Sequence, residues 1–302
     1  MIAEADIKKI IEQVLGEIGN GGEASGKKAG DNAEGQVRAS VAKVLPDDGC
    51  LPDITQTDIR NIVSVPNPAN PGVLAEMKRA TPARIGVWRA GPKYRTKTLL
   101  RFRADHAAAM DAVFSEMSED GLLKRMNLKV IQTLCTDKDS FLTRPDLGRQ
   151  FSDEAKAKIR EITGTSPRVL IYITDGLSTT AVETCAEDTY KAIVQGLDHM
   201  GIKSAPPFFV KYGRVPSQDA VGEAAGAEVV ATLIGERPGL VTAESMSAYI
   251  SYKPTVGMPE ARRTVVSNIH RGGTPPVEAG AYIAEIIGKM LENRASGLDL
   301  KL

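Results

Sequence analysis

Large apolar residues near the start of the chain fall on one helical stripe. Ile7, Ile10, Ile11, Val14, Leu15 and Ile18 recur at three- and four-residue steps, and Lys8, Lys9, Glu12, Gln13 and Glu17 fill the other face. Asp6 suits the positive end of the helix dipole, and the glycines of GNGG end the pattern. Residues 1–19 therefore read as an amphipathic helix. Residues 20–52 are rich in Gly, Ala, Lys, Asp and Glu and carry no large apolar side chain before Val37. Such a segment buries too little surface to offset the entropy of ordering it, and reads as a flexible linker. The stripe then has two destinations: its own domain, or the groove of a partner.

Residues 53–82 form an extended, proline-punctuated lead-in, and a helix is expected from about Thr96 to Met117. Its apolar face would be Leu99, Phe102, His106, Met110, Val113 and Met117. A histidine on such a stripe reads as a core or interface residue rather than a metal ligand. Residues 53–118 thus make a helical subdomain ahead of the main domain, 119–302. Between Lys78 and Arg103 stand nine basic residues and no acidic one. Two readings fit: a solvated basic face, or a patch facing an acidic partner or a phosphate, both of which Arg grips as a fork.

From Pro167 the periodicity changes. Val169 to Thr174 (VLIYIT) is a near-continuous apolar run, as expected of a strand buried on both faces. A helix follows over about Thr179–Met200, then a strand at Phe208–Tyr212, a short helix at Ser217–Ala225 and a strand at Val229–Ile234. Met246–Tyr252 and Thr264–Ile269 read as two further strands. The last helix is expected to open with Thr274 as cap and Pro275 at its first position, and to close near Arg294 with Gly297 beyond. Strand–helix–strand alternation implies an α/β fold with a doubly wound, mainly parallel sheet.

The chain has 302 residues, with Lys+Arg and Asp+Glu both at 38. A formal charge of zero argues against nucleic acid as partner and gives weak protection against self-association. No apolar run reaches the roughly 18–20 residues of a membrane span, and the opening MIAEADIKKI lacks a secretory signature. Cys50, Cys135 and Cys185 show no disulfide or metal spacing, and His106, His199 and His270 are scattered. The expectation is a cytoplasmic protein with reduced thiols and no metal site of its own.

Ligands of parallel α/β sheets bind at the carboxyl ends of the strands. Three loops leave those ends: Asp175–Thr179, Gly213–Val215 and Gly235–Gly239. Each pairs a glycine, which lets backbone approach a ligand, with a polar group. No dinucleotide fingerprint, Walker loop or nucleophile elbow is present. Ser178 or Thr179 at a helix opening could hold an anion, although capping alone explains them. Asn268, His270 and Gly273 have the Asp-x-His-x-x-Gly spacing of base-off cobalamin proteins, with Asn for Asp. An Asn lacks the carboxylate that would orient the imidazole, so cobalt ligation by His270 is discounted.

Six blocks carry a resemblance: ARIGVWRAGPKYRTKTLLRFRADHA, FLTRPDLGRQ, TDGLSTTA, PPFFVKYGRV, LIGERPGL and SNIHRGGTPPVEAGAYIAEIIGKMLENRASG. In this order they resemble the ethanolamine ammonia-lyase small (light) subunit over about residues 78–299. The resemblance implies a Rossmann-like domain that closes over adenosylcobalamin, held base-on, against a large subunit carrying the substrate and most of the chemistry. That enzyme makes acetaldehyde and ammonia from ethanolamine through a 5′-deoxyadenosyl radical. The family's cobalamin contacts carry over to Val215 in YGRV, Glu236 in GERPGL and Val265 in RRTVVSN. Family members can carry Cys at position 265, and Val allows only an apolar or backbone contact there. No catalytic residue is assigned to this chain. Ethanolamine utilisation in bacterial microcompartments makes residues 1–19 a candidate encapsulation peptide. Two competing readings are a non-catalytic scaffold or activator subunit and a standalone nucleotide-binding enzyme.

Overall fold

A computed structural model describes residues 53–301. The amphipathic helix expected at 1–19 and the linker at 20–52 lie outside the described residues. Residues 54–302 form one compact unit.

The lead-in contains helix α1 (Pro71–Arg79), opened by the Asn70 side chain, which accepts from the Val73 N–H at 3.1 Å. A two-residue-strand hairpin, β1 (Arg89–Ala90) and β2 (Lys93–Tyr94), leads into α2 (Thr96–Phe114). The stripe expected to be buried on α2 is largely exposed: Leu99, His106 and Met110 face solvent, as do Leu100 and Phe114. The helix instead buries Asp105, Ala109 and Ala112. The reason is electrostatic. Arg84 and Arg101 converge on Asp105 at 2.6 and 3.0 Å, and Arg101 also donates to the carbonyls of Ile54, Thr55 and Thr57. The basic run therefore acts partly as mortar within this chain. Arg95 and Arg89 stack on Trp88 and Tyr94, and Lys78 donates to Ile85 O at 2.9 Å.

The main sheet begins with β3 (Lys129–Gln132), followed by the short helix α3 (Lys138–Thr143) and α4 (Asp153–Thr163). Neither this strand nor these helices stands out in the sequence, because β3 has only Val130 and Ile131 to mark it. Then come β4 (Val169–Thr174), α5 (Thr179–His199), β5 (Phe208–Lys211), α6 (Ser217–Ala225) and β6 (Val229–Gly235). Strands β7 (Met246–Tyr252) and β8 (Thr264–Ile269) and helix α7 (Pro276–Asn293) complete the chain. The last helix starts one residue later than expected. Pro276 forces Pro275 to be extended (ψ 141), so Pro275 becomes the cap. Its end is turned by Arg294 in left-handed conformation (φ 52), not by Gly297.

The sheet order is β3-β5-β4-β6-β7-β8. The first four strands are parallel, and β7 and β8 are antiparallel to their neighbours, so the sheet is mixed. Strand alternation divides the core in two. Ile171, Ile173, Leu233, Ala248 and Ile250 pack under α5 and α7, whereas Leu170, Tyr172, Phe208 and Val230 pack under α4 and α6. Each fully buried large side chain contributes about 1.5–3 kcal/mol.

Helices α5 and α7 touch through small residues. A Cβ on Gly280 would lie 2.6 Å from both Thr189 O and the Ala192 methyl, and one on Gly196 would lie 2.6 Å from the Ala284 methyl. Gly280→Val should therefore force the helices apart and lower stability by about 3 kcal/mol. Denaturant unfolding of the purified chain tests this, and an unchanged midpoint would mean that the seam tolerates bulk.

Candidate functional site

The strands β4, β5 and β6 end on one rim of the sheet. Because β7 runs back, β8 returns to that rim: Gly235 lies opposite Met246, and Met246 opposite Ile269. Five loops thus meet there, including the three expected from sequence. Their glycines serve packing more than ligand approach. Leu177 N–H donates to Gly235 O at 3.0 Å, and a Cβ on Gly235 would sit 2.5 Å from Asp175 O. Gly213 is closed off by Thr174, while Gly239 faces open space. Ser178 is fully buried; it caps α5 by accepting from Ala181 N–H at 3.1 Å and donates to Ala243 O at 2.5 Å. It is a helix cap, and the anion reading has no open donor to stand on.

Beneath these loops lies Asp175, buried to 4% exposure. It accepts from Tyr212 N–H at 2.9 and 3.1 Å, from Gly176 N–H at 3.0 Å and from the Thr174 hydroxyl at 3.2 Å. Burial pushes its carboxyl up to about 6, against the pull of these donors and of Lys138. Tyr212, whose φ is 61, also donates through its phenol to Glu116 at 2.6 Å.

Glu236, predicted from sequence, stands where β6 leaves the sheet. Its carboxylate accepts from the Ser245 hydroxyl at 2.6 Å, from the Ser247 hydroxyl and from Asn268 N–H at 3.2 Å. Burial raises its pKa, but Ser245, Ser247, the Asn268 N–H and the field of His270 together outweigh that and hold it below the usual value. Asn268 reaches Glu236 through a bulge. β8 advances three residues, Val266 to Ile269, while β7 advances two, and Asn268 takes φ 62. His270 is occupied within its own turn. Its Nδ1 accepts from Gly272 N–H at 3.1 Å, so Nε2–H donates to Asn268 Oδ1 at 2.9 Å. The Asn-x-His-x-x-Gly spacing is thus a turn staple.

Val215 immediately precedes α6 at the rim and is half-buried; Val265 lies lower on β8 and is 45% exposed. All three predicted residues lie on the side of the sheet that carries α6. Alternation puts Ser247, Tyr249 and Ser251 on that side, and Val265 pairs with Tyr249. Gln218 of α6 ties the helix there, donating to Val230 O and Tyr249 O at 2.9 and 2.7 Å and accepting from Ser251 at 2.7 Å. Arg263, just before β8, pairs with Asp219 of α6 at 2.9 Å, both buried. The α6 opening, Glu236 and the outer face of β8 consequently border one partly open surface. Sequence reading missed Ser245, Ser247, Tyr249 and Asn268. The signal was present in MSAYISY, where Ser, Tyr and Ser recur at every second position.

A profile of the ethanolamine ammonia-lyase light chain (EutC) family matches residues 71–301. The chain belongs to the ethanolamine ammonia-lyase small-subunit family. Proteins named ethanolamine ammonia-lyase small subunit from Clostridium tetani and Listeria monocytogenes are each 54% identical to it, covering 100% and 99% of both chains respectively. A third, from Clostridioides difficile, is 51% identical over 99% of each chain. The resemblance carried by the six sequence blocks is thus established, and the chain is a lyase subunit. Among the described residues, no cluster of three or more His, Cys, Asp or Glu is placed to hold a metal ion. Within the same residues, no helix is long and apolar enough to cross a membrane. Cys135 and Cys185 are free and buried.

Two titrations follow. Ser247→Ala should raise the Glu236 carboxyl, read by carbon-detected NMR; an unmoved titration would mean that the hydroxyls do not hold the charge. For Asp175 the folded pKa lies above the unfolded one, so its contribution is full below the unfolded value of 3.8 and is lost as pH rises through about 6. Asp219, raised to about 6 by burial, changes in the same direction and cancels in a difference against Asp175→Asn. From about pH 4 to about pH 7 wild type should lose about 2–3 kcal/mol more stability than the variant. Parallel pH profiles in denaturant unfolding would refute it.

Proposed function

We propose that this chain is the small subunit of an adenosylcobalamin-dependent ethanolamine ammonia-lyase. Its rim and the surface beside α6 would close over the cofactor against a large subunit. The observation that carries the reading is Glu236. A corrin ring is edged by neutral amides and asks a protein for acceptors of amide N–H groups. Glu236 is kept ionised by neutral donors, with one oxygen taking a single hydroxyl, so it retains acceptor capacity. Val215 supplies an apolar wall at the α6 opening. Val265 supplies an apolar side chain and, since β8 is an edge strand, outward main-chain groups not used by β7. Helices on both faces and ligand residues at the carboxyl rim favour calling the domain Rossmann-like.

When bound, adenosylcobalamin supplies the radical chemistry that turns ethanolamine into acetaldehyde and ammonia. The residues of this chain orient the corrin and keep water from one side of it, and none is given a proton to move. Acetaldehyde release should need both subunits together. Glu236→Ala in the assembled enzyme should weaken cofactor binding by about tenfold to a hundredfold. Activity of this chain alone would favour a standalone enzyme. Association with the large subunit and full activity with unchanged cofactor affinity would favour a scaffold role.

The stripe Ile7–Ile18 further suggests that residues 1–19 address the enzyme to a bacterial microcompartment. Deleting residues 1–20 should leave activity intact and abolish co-localisation with shell proteins. Retained co-localisation would end that idea.

A further inference from the structure

Three guanidinium groups on the rim have no counter-ion. Arg214, in the loop after β5, rests on the Phe141 ring with its carbon 4.0 Å from the centroid and donates through Nη2 to Phe141 O at 2.6 Å. Its backbone N–H donates to Gly148 O at 2.8 Å, which places Arg149 next to it in the chain contact. Arg237 follows Glu236 in the loop packed on the β4 loop, and both Arg237 and Arg149 repel Arg214 strongly enough to help lower its pKa, after burial. Among the described residues none of the three has a carboxylate oxygen within 4.0 Å. Arg144 takes the nearby Asp146 at 2.8 Å, Glu236 is held by serines and main chain, and Asp175 is covered by main-chain donors. The buried Arg214 Nε has no partner either.

Like charges do not gather at a rim without a cost that something offsets. Three forks converging where a sheet of this kind receives its ligand match the oxygens of a phosphate, which Arg binds in pairs of parallel hydrogen bonds. The first N–H groups of α6 are not the receptor, because those of Ser217, Gln218 and Asp219 already donate to Arg214, Val215 and Pro216 carbonyls at 2.8, 3.1 and 3.1 Å.

We propose that Arg149, Arg214 and Arg237 form a phosphate-binding site on the carboxyl rim, beside Glu236. Cobalamin carries one phosphodiester, in its nucleotide loop, and that source rests on the cofactor reading above; a free phosphate is the other source of the same chemistry. Stacking on Phe141 fixes the Arg214 fork in advance, and the exposed Arg149 and Arg237 close on the anion from either side.

The test uses the assembled two-subunit enzyme and three probes: adenosylcobalamin, adenosylcobinamide (which lacks the nucleotide loop) and inorganic phosphate. Arg149 and Arg237 are exposed, so Arg149→Gln/Arg237→Gln should fold; Arg214→Lys, which keeps the charge and loses the fork, is the second variant. The expected result is a tenfold to hundredfold loss (order of magnitude) of adenosylcobalamin affinity in both variants with adenosylcobinamide affinity unchanged. Phosphate binding that raises the melting temperature of wild type but not of the variants, with both corrinoids unaffected, would assign the site to free phosphate. Equal losses for both corrinoids, or no loss for any probe, would overturn the proposal. Glu236→Ala separates the two readings. It should weaken both corrinoids, and if it weakens neither, the cofactor reading has failed independently of the arginines.

Discussion

A carboxylate withdrawn from water must be satisfied, and on this rim it is satisfied by dipoles rather than by cations. Asp175 takes main-chain N–H groups from Tyr212 and Gly176; Glu236 takes two serine hydroxyls and the Asn268 N–H. Each carboxylate thereby ties several loops together. Asp175 joins the loops after β4 and β5, and Glu236 joins the exit of β6 to β7 and the end of β8. The consequence reaches further than the carboxylates. A rim whose negative charges need no cation leaves its arginines unpaired, and so electrostatically available to whatever approaches.

That arrangement requires the sheet to stop being parallel. Had β7 continued the parallel pattern, its amino end would lie at the opposite edge, and Ser245 and Ser247 would be a strand length from Glu236. Reversal after β6 brings β7 in from the rim, and β8 goes back up to it, one residue long at the bulge. The extra residue turns the Asn268 N–H onto Glu236 and lets Asn268 adopt the left-handed conformation that Asn tolerates. Arg263 and Asp219, buried and 2.9 Å apart, fix the other end of β8 to α6. Removing one partner of such a pair leaves a buried charge unmatched, commonly a loss of about 3–5 kcal/mol.

Sequence reading located the strands from β4 onward because they are buried on both faces, and burial on both faces is written as an unbroken apolar run. It located the rim through strand ends, and Glu236 through a family resemblance. What it could not read was pairing direction: VVATLIG and MSAYISY carry no mark of whether they run together or opposed. Since direction decides which residues meet Glu236, the serines and Asn268 were illegible even though each is plain in the sequence. β3 was missed for a related reason, as an edge strand with one partner needs few apolar residues.

The reading of α2 failed differently, and the failure is informative. The helical spacing of Leu99, Met110 and Phe114 is real, yet those side chains are 41%, 48% and 52% exposed. Asp105 faces inward because Arg84 and Arg101 are already held there, and a carboxylate within reach of two guanidinium groups outweighs a leucine seeking cover. Periodicity reports that a stripe of residues would be better out of water. It does not say which surface covers the stripe, and within residues 54–302 the ion-pair cluster settles that the cover is not this domain's own core.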